Sequence, residues 1–439
     1  MPAEQERIVI VGDGHAGVQL ADSLRTEGWV GAITLVGEDP DHPYQKPPLS
    51  KELSGGGRLE PLPLRGPEFF AEQRIDHLRR CRVTEIDRAA RTVRLDGDEH
   101  RSTGLRYDRL ILATGAENRA LEVPGCRIDG VVQLRTLADA AAIHARLAAA
   151  RSVVVIGAGF IGLEFAAAAR SLGIEVTVLG RGPRVLRRSV TPPVEQYLRE
   201  LHRGLGTRLV DHEEIARFEP RTEGRGASVV TLAGRRYDAD LVLVAVGVEP
   251  RSELAAAAGL EVAGGIVVDA ELRTADPRIF AIGDCAAFPV EGGARRTRVE
   301  SVQNATGQAR YLARALVDPS RWEGPPTSAS ASTVPAPIVP TPAVAAYTEV
   351  PWFWSQQGGA KLQIAGLVAP AGETVVRGDP STGRFSVFSF TDAGLQAVES
   401  VNRPADHLAA RRILAGGLRL TAADAADESF DLKGFSLAR

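Results

Sequence analysis

The sequence has few residues of the kinds that build metal and disulfide sites. Its only cysteines are Cys81, Cys126 and Cys285, which lie far apart and form no Cys-x-x-Cys pair. This excludes a zinc site of paired thiolates, a Cys-x-x-Cys dithiol and a cysteine-ligated iron–sulfur cluster. We therefore predict three buried thiols, no bound metal and a reducing, cytoplasmic location.

Long apolar runs are also missing. No stretch of about 18 apolar residues occurs, so we expect no membrane span. The polar start MPAEQER leads straight into an apolar run, which argues against a secretory signal. The net charge of −3 argues against nucleic-acid binding. At 439 residues and 44% hydrophobic content, the chain is long enough for two or three domains.

The chain does contain an internal near-repeat. RIVIVGDGHAGVQLADSLR stands near the start, and SVVVIGAGFIGLEFAAAAR begins at Ser152. Each has a Val/Ile run, then Gly-x-Gly-x-x-Gly, then apolar residues at helical spacing. The first glycine permits a tight turn, the second lets a pyrophosphate approach, and the third lets helix and strand pack closely. One match is weak evidence, but two matches that each continue into a βαβ pattern predict two dinucleotides, a flavin and a nicotinamide.

The two repeats differ where the second strand ends. Glu38 stands there in the first repeat, where an acid accepts the hydroxyls of an adenosine ribose. The second repeat reads VTVLGRGPR, with Gly180 and Arg181 in place of the acid. Without the acid a 2′-phosphate is not repelled, and Arg181 offers it a cation, although Arg181 could also point into solvent. Gly162 keeps a form typical of NAD sites, so we predict that both NADH and NADPH are accepted.

Two further segments favour a flavin. RLILATG, residues 109–115, reads as a buried strand that ends in a small-residue turn. IFAIGDCA, residues 279–286, places Asp284 after a strand, where its carboxylate could accept ribityl hydroxyls or simply cap a helix. A helix predicted from about Ser301 to Leu316 would point its N-terminus at the pyrimidine end of the flavin and stabilise its anionic reduced form.

Several motifs together resemble one family. YQKPPLSKE, GAGFIGLE, FAIGDCA, ESVQNA and PWFWSQQ followed by KLQIAGL are similar to the FAD-dependent ferredoxin reductases of bacterial ring-hydroxylating dioxygenases and cytochromes P450. The resemblance covers nearly the whole chain. It implies an α/β fold with two Rossmann-like domains for FAD and NAD(P), as in glutathione reductase, plus a C-terminal α+β domain. The predicted boundaries are 1–117 and 248–323 for the FAD domain, 118–247 for the NAD(P) domain, 324–346 for a linker or insertion and 347–439 for the C-terminal domain.

The resemblance also implies site residues. Lys51 near the flavin and Glu164, which would orient the nicotinamide, are the predicted catalytic residues. The residues that would bind FAD are Gly12, Gly14, His15, Ala16, Gly17, Glu38, Lys46, Pro48, Lys51, Val83, Ala113, Thr114, Gly115, Asp284, Val302 and Trp354. The residues that would bind NAD(P) are Gly157, Gly159, Phe160, Ile161, Gly162, Glu164, Gly180, Arg181 and Gly247.

Some of these assignments have alternatives in the sequence. Lys51, one of only four lysines, could be a solvated surface residue. The aromatic residues 352–354 could fill a core, but the SQQ that follows them suggests a surface edge. Asp13 and His15 depart from the usual first loop. Asp13 would oppose a pyrophosphate unless it turns to solvent, and His15 either contacts phosphate or is exposed, the reading that we favour.

Beyond residue 323 the composition changes. GPPTSASASTVPAPIVPTPAVAA, residues 324–346, is typical of a flexible or polyproline-like linker, with a partner-docking arm as the alternative. KLQIAGL, ETVVRG, RFSVFSF and GLQAVESV read as successive antiparallel strands, and a helix is predicted from Ala405 to Leu414.

The prediction of function depends on the segment that follows the first glycine loop. Disulfide reductases of the wider class carry a redox cysteine pair beside the flavin, and peroxidases a single cysteine, whereas this chain has PYQKPPLSK. Electrons would therefore leave from the flavin to an external acceptor. The resemblance implies that this acceptor is a Rieske-type or [2Fe–2S] ferredoxin, which supplies an oxygenase of aromatic catabolism. The alternatives are a diaphorase or quinone reductase and a redox-sensing binding protein resembling apoptosis-inducing factor. We expect a monomer or weak homodimer, with candidate docking residues Arg295, Arg296, Arg298, Arg403, Arg411 and Arg412.

Overall fold

Runs of Val, Ile and Leu form the central strands of two parallel sheets, one in each of the two units into which the chain divides. The computed structural model describes residues 6–52, 60–97, 104–221, 224–290, 296–318, 346–368 and 372–438. The first unit comprises Met1–Tyr44, Pro63–Ala116 and Pro250–Glu349, and the second comprises Gln45–Leu62, Glu117–Glu249 and Val350–Arg439. Short strands, Ala116–Asn118 and Val248–Pro250, lie where the chain passes between the units.

The first unit is built on a five-stranded parallel sheet. All of its strands except the edge strand Ile75–Leu78 are largely buried, which explains why they read as continuous apolar runs and not as alternating patterns. The helices His15–Thr26 and Val302–Val317 pack against each other in this unit. In sheet order the strands are Ile279–Ala281, Arg109–Leu112, Arg7–Val11, Ala32–Val36 and Ile75–Leu78.

Smaller elements complete the first unit. An antiparallel sheet contains Cys81–Asp87, Thr92–Gly97 and Gly104–Arg106, and another three-stranded sheet contains Ile266–Val267, Ala286–Pro289 and Arg296–Thr297. The second of these mixes one parallel and one antiparallel pairing. Short helices span Phe69–Glu72 and Glu253–Ala257, and a 3₁₀ turn spans Gly283–Cys285.

The second unit repeats the parallel arrangement. Its five strands, in sheet order, are Arg208–Val210, Glu175–Leu179, Ser152–Ile156, Leu241–Val244 and Val131–Val132. Helices span Leu137–Leu147, Phe160–Ser171 and Pro192–Gly204. The first of these begins with a capping box, in which the Thr136 hydroxyl accepts from the Asp139 N–H and the Asp139 carboxylate accepts in return. An antiparallel sheet of Ile215–Pro220, Ala227–Thr231 and Arg236–Ala239 and a 3₁₀ turn, Pro47–Ser50, belong to the same unit.

The C-terminal part of the second unit is α+β, as predicted. Its antiparallel strands are, in sheet order, Trp352–Gln357, Ala360–Gly366, Gly394–Val401, Arg384–Thr391 and Glu373–Asp379. The four predicted strands are present, but Ala360–Gly366 pairs with Gly394–Val401 and not with its successor in the chain. The predicted helix runs over Pro404–Ala415 and is followed by Ala422–Ala426 and Leu432–Leu437, and a 3₁₀ turn spans Pro380–Thr382.

Some predicted boundaries differ from those of the compact units. The segment 45–62, which was predicted as part of the FAD domain, groups with the second unit. All but the last residue of the predicted linker 324–346 lies outside the described residues. Within the described part of the chain, no helix is both long and apolar enough to cross a membrane.

A buried acid makes the second unit sensitive to pH. Glu399, on the strand Gly394–Val401, is completely buried, and its carboxylate accepts hydrogen bonds of 3.0 and 3.2 Å from the Thr191 backbone N–H. Burial raises the pKa of Glu399 to about 7, although the bonds from Thr191 act in the opposite direction. The folded protein therefore keeps this proton over a pH range in which the unfolded chain has lost it.

We expect Glu399→Gln to remove a pH-dependent loss of stability. Below the pKa that Glu399 has in the unfolded chain, the carboxyl group does not lower the free energy of unfolding. The loss of stability grows to about 3 kcal/mol as the pH rises through the pKa of Glu399 in the folded protein. Urea denaturation at pH 5 and pH 8 should show the wild type losing stability relative to the Gln variant. Glu373→Gln, at an exposed strand position, should behave as the wild type. An identical pH dependence in wild type and Glu399→Gln would contradict the assignment.

Candidate functional site

The two glycine loops have the same backbone geometry. Gly12 and Gly157 each have φ of 108°, a conformation that side chains rarely adopt. A Cβ atom on Gly12 would clash with the carbonyl oxygen of Ala113, and one on Gly157 with that of Ala245. Each glycine loop thus follows a central strand of its sheet and contacts the residue just after a neighbouring parallel strand. Dinucleotides bind at this point in doubly wound sheets.

The second glycines face open space. Gly14 and Gly159 precede the helices His15–Thr26 and Phe160–Ser171, no side chain caps either helix, and a Cβ atom at either glycine would meet no atom within 4 Å. The third glycines, Gly17 and Gly162, pack tightly against the carbonyl of the first glycine in their own loop. Uncapped helix N-termini with room for a ligand fit a pyrophosphate in both loops.

Glu38 lies where the sequence predicts an acid for the FAD ribose. Its carboxylate pairs with Arg82 at 2.8 Å and with Arg251 at 2.7 Å. Burial tends to raise the pKa of Glu38, but the hydrogen bonds and charges of the two guanidinium groups outweigh it and lower the pKa. The group is therefore an ionised acceptor, and a carboxylate has enough lone pairs to accept ribose hydroxyls beside the arginines.

Asp13, whose charge would oppose a pyrophosphate unless it turned to solvent, is directed into the protein. Its carboxylate lies 3.0 Å from the His77 ring nitrogen Nε2, and its side chain is only 12% exposed. His77 comes from the strand Ile75–Leu78 and stacks on Phe70 with ring centroids 4.4 Å apart. The Asp13 carboxylate of the first loop thus contacts His77, which is distant in sequence. His15 is half-buried, not exposed, and begins the adjoining helix together with the buried Ala16.

Asp284 lies in the 3₁₀ turn that follows the strand Ile279–Ala281, and it is half-buried. The turn is held by the Gln308 side chain, which accepts a bond of 2.7 Å from the Gly283 N–H. Gln308 belongs to the helix that begins at Val302, capped by Ser301. The turn that carries the predicted ribityl-binding acid is therefore bonded to the predicted helix, at its second turn.

Other predicted FAD residues are distributed as follows. In the first unit, Val83 is buried on the strand Cys81–Asp87, and the Thr114 hydroxyl donates a 2.6 Å bond to the Arg251 carbonyl. Gly115 has φ of 70° and open space where a side chain would be. Lys46 and Pro48 belong to the second unit, at and within the turn Pro47–Ser50.

In the second unit, Glu164 is the centre of a buried polar network. Its carboxylate accepts bonds of 2.7 Å from the Lys51 ammonium and from the hydroxyls of Ser50 and Ser355. Glu164 is only 4% exposed and Lys51 21% exposed. The structure therefore brings together the two residues predicted to be catalytic, and Lys51 is not a solvated surface lysine. Three donors at one buried carboxylate compensate its charge.

The network continues into the C-terminal strand Trp352–Gln357. The Gln357 amide donates to the Ser355 hydroxyl at 3.1 Å, and its oxygen lies 3.0 Å from the His202 Nε2 atom. Ser355, Gln357 and His202 are all buried, and burial lowers the pKa of His202. The expectation that SQQ forms a surface edge is therefore wrong for two of its three residues. Trp352–Gln357 is an edge strand, but its alternate side chains point inward, because side chains alternate between the faces of a sheet.

The aromatic residues of PWFWS are half-buried and do not fill a core. Phe353 packs on Phe160, at the start of the nucleotide helix, with ring centroids 4.6 Å apart. Trp352 and Trp354 have ring centroids 6.0 Å apart. Ile161, the next residue of the helix, is 39% exposed, which is unusual for a large apolar side chain in its first turn.

The predicted NAD(P) residues Gly180, Arg181 and Gly247 are either exposed or leave room for a ligand. Gly180 is buried, but an added Cβ atom would meet Ala158 at an ordinary 3.5 Å. Arg181 is exposed, in agreement with either a phosphate contact or a solvated side chain. Gly247 is exposed, has φ of 105° and faces open space.

Sequence reasoning missed Ser50 and Ser355 as partners of Glu164. Both stand inside motifs that carried the resemblance, PPLSK and PWFWS, directly beside residues that were chosen. The sequence does not show which group their hydroxyls contact, because Ser50 and Ser355 are each more than a hundred residues from Glu164.

The cysteines contribute no redox pair. Cys81 and Cys285 are buried, and burial raises the pKa of both thiols. Cys126 is half-buried, so the prediction of three buried thiols holds for two of them. All three are free. Within the described residues no group of three or more His, Cys, Asp or Glu side chains could hold a metal ion.

Comparison with known proteins identifies the family. Residues 6–309 match the family described as pyridine nucleotide-disulphide oxidoreductase, and residues 352–436 match the Reductase C-terminal family. The chain is 45% identical to rhodocoxin reductase of Rhodococcus erythropolis over 97% of this chain and 93% of that protein. It is 40% identical to the ferredoxin–NAD(+) reductase component of the anthranilate 1,2-dioxygenase system of Burkholderia cepacia, over 97% and 98%.

A solved structure gives the same result. The ferredoxin reductase for the CYP199A2 system from Rhodopseudomonas palustris superimposes with a TM-score of 0.89 at 42% identity, over 98% of this chain and all of that one. These similarities extend over both units and confirm the resemblance seen in the motifs. The chain belongs to the pyridine nucleotide-disulphide oxidoreductase family and, within it, to the ferredoxin reductases that carry a Reductase C-terminal domain.

Proposed function

We propose that this protein transfers electrons from NADH or NADPH, through FAD, to a [2Fe–2S] or Rieske-type ferredoxin that supplies an oxygenase. The observation that carries the proposal is the pair of open glycine loops, one in each unit, in a chain whose three free cysteines offer no redox pair. The names of the similar proteins, ferredoxin reductases of a dioxygenase system and of a P450 system, support the choice of acceptor.

The residues assigned from the resemblance take their roles in this proposal. In the first unit, Gly12, Gly14 and Gly17 would hold the FAD pyrophosphate, Glu38 its ribose and Asp284 its ribityl chain. In the second unit, Gly157, Gly159 and Gly162 would hold the pyrophosphate of the nicotinamide. The other assignments to FAD and NAD(P) stay predictions, as do the domain boundaries, a cytoplasmic location and a monomer or weak homodimer.

When bound, FAD supplies the change from two-electron to one-electron transfer. The protein's own contribution is positioning. Lys51 and Glu164 neutralise each other at 2.7 Å, and the hydroxyls of Ser50 and Ser355 hold the carboxylate in place. A side chain held by three donors is pre-organised, so it would orient the nicotinamide without being reoriented during the reaction.

The test is ferredoxin-dependent electron transfer. The purified protein should reduce cytochrome c rapidly with NADH only when a [2Fe–2S] ferredoxin is added. If cytochrome c or a quinone is reduced equally fast without ferredoxin, the protein is a diaphorase. If NADH forms a stable reduced complex and no acceptor is reduced, the redox-sensing alternative holds.

Asp284→Ala is expected to weaken FAD retention. The ribityl hydroxyls would lose a charged acceptor, a bond of about 1.5–3 kcal/mol, which corresponds to roughly a ten- to hundredfold rise in the Kd for FAD. Flavin content after dialysis and titration of the apoprotein measure the effect. Asp392→Ala, in an exposed turn, is the matched control. Unchanged affinity in Asp284→Ala would show that the acid does not bind the ribityl chain.

Arg181→Ala is expected to lower kcat/KM for NADPH about ten- to hundredfold and to leave NADH nearly unaffected, since only NADPH carries the 2′-phosphate. In the wild type, the two kcat/KM values should lie within about a hundredfold of each other. The control is Arg225→Ala, at another exposed arginine of the second unit. A wild-type preference for NADH beyond that range would exclude dual use.

Arg296→Glu is expected to slow the reduction of an acidic ferredoxin about tenfold at low ionic strength and less at high salt, because an exposed interface charge acts mainly on association. Arg296 is exposed, whereas Arg298 pairs with Glu300 and Arg403 with Asp406. Arg295 lies outside the described residues. Ferricyanide reduction should stay unchanged, as should both activities in Arg225→Glu. Equal loss with ferredoxin and ferricyanide would argue against a docking role.

A further inference from the structure

The strand whose end lacks a ribose-binding acid lies beside a strand that is followed by an acid. Glu175–Leu179 and Arg208–Val210 are parallel neighbours, with Leu179 opposite Val210. The first residues beyond these strands, Gly180 and Asp211, are therefore adjacent at the carboxyl edge of the sheet. The Gly180 N–H also donates a 2.8 Å bond to the Val210 carbonyl, which holds the two strand ends together.

The Asp211 carboxylate lies close to the position that a side chain at residue 180 would occupy. Its Oδ1 atom is 3.8 Å from the place of a Cβ atom on Gly180. A Glu at position 180 would extend its carboxylate over a comparable distance from that Cβ, whereas the shorter Asp would not. The Asp211 side chain is 27% exposed, so it is not closed off from a ligand.

The backbone after Asp211 is bent in a way that fixes this placement. His212 has φ of 59°, a left-handed conformation that is uncommon for a residue other than glycine. The next N–H, that of Glu213, donates a 2.9 Å bond back to the Gly180 carbonyl. Strained backbone of this kind is concentrated at functional sites, where the surrounding structure compensates its cost.

Arg199 orients the Asp211 carboxylate from the protein side. Its guanidinium donates to the two Asp211 oxygens at 2.8 and 3.4 Å, and to Glu195 at 3.0 Å. Burial acts to lower the pKa of Arg199, but these bonds outweigh it and raise the pKa, so the group stays charged. Arg199 is only 14% exposed and belongs to the helix Pro192–Gly204.

The neighbouring acid Glu213 cannot serve instead. Its side chain is fully buried, bonded to the Tyr237 hydroxyl at 2.6 Å and paired with Arg235. Asp211 is therefore the acid whose side chain is both fixed beside Gly180 and open to a ligand.

We propose that Asp211 accepts the adenosine ribose hydroxyls of the nicotinamide cofactor in place of the acid missing at position 180, with Arg199 as its positioning residue. The inference rests on the proposed function, because it requires a nicotinamide dinucleotide in the second loop. It explains how a strand end without an acid can still hold NADH. Since Arg199 compensates the Asp211 charge, a 2′-phosphate beside Arg181 is repelled less than by an unpaired carboxylate.

Binding measurements test the proposal without catalysis. Isothermal titration calorimetry of the oxidised holoprotein with NAD⁺ and NADP⁺ gives two Kd values for each variant. Asp211→Ala should raise the Kd for NAD⁺ about tenfold or more, since a charged acceptor is lost, and change the Kd for NADP⁺ less than about threefold. Asp211→Asn, which keeps one acceptor oxygen, should lie in between. Asp392→Ala is the control at an exposed acid.

A second variant provides a rescue. Gly180→Glu combined with Asp211→Ala should restore NAD⁺ binding, because a carboxylate then reaches the ribose from the neighbouring strand. The added Cβ atom meets no atom closer than 3.5 Å, so the substitution fits the backbone. If the double variant binds NAD⁺ as weakly as Asp211→Ala, the two positions do not serve the same hydroxyls and the proposal is wrong.

Two other results would overturn the proposal. Equal weakening of NAD⁺ and NADP⁺ would place Asp211 at the adenine or in a structural role, and unchanged Kd values for both would remove it from the cofactor. These outcomes are distinct from a failure of the proposed function, which would appear as a wild type that binds NAD⁺ but does not reduce ferredoxin.

Discussion

The second unit depends on the compensation of one buried charge, that of Glu164. A carboxylate that is 4% exposed is stable only if donors surround it, and here the donors come from two stretches of chain that are distant from the acid. Ser50 and Lys51 follow a rigid Pro-Pro turn, Ser355 comes from the C-terminal sheet, and Glu164 itself belongs to the nucleotide helix. This requirement explains why the segment 45–62 groups with the second unit and not with the chain that flanks it.

The same requirement links the C-terminal domain to the chemistry of the nucleotide domain. Ser355 and Gln357 lie on one face of an edge strand, and the bonds that they make run from Glu164 to the buried His202. Phe353 lies on the same face and packs against Phe160, one helical turn before Glu164. Because every second side chain points the same way, one face of this short strand makes both the aromatic contact and the polar network.

The two nucleotide loops share their backbone but not the chemistry at their strand ends. Both first glycines approach a carbonyl of the adjacent strand, and both second glycines leave room for phosphates. In the first unit Glu38 stands at the strand end between two arginines, whereas in the second unit Gly180 leaves that place to its neighbours. The backbone of the shared fold thus provides the geometry that binds a pyrophosphate. The side chains at the strand ends distinguish one dinucleotide from another.

The sequence by itself determined the strands, the two loops and the family, because apolar runs, glycine spacing and motifs such as PPLSK and PWFWS are local signals. It also identified Lys51 and Glu164 individually. Only the tertiary structure decided that these two meet, that Ser355 and Gln357 point inward, and that Asp13 pairs with His77. These contacts join residues that are far apart in the chain, and their partners depend on sheet order and register. Neither can be read from a local pattern, since Ala360–Gly366 pairs with Gly394–Val401 across an intervening hairpin.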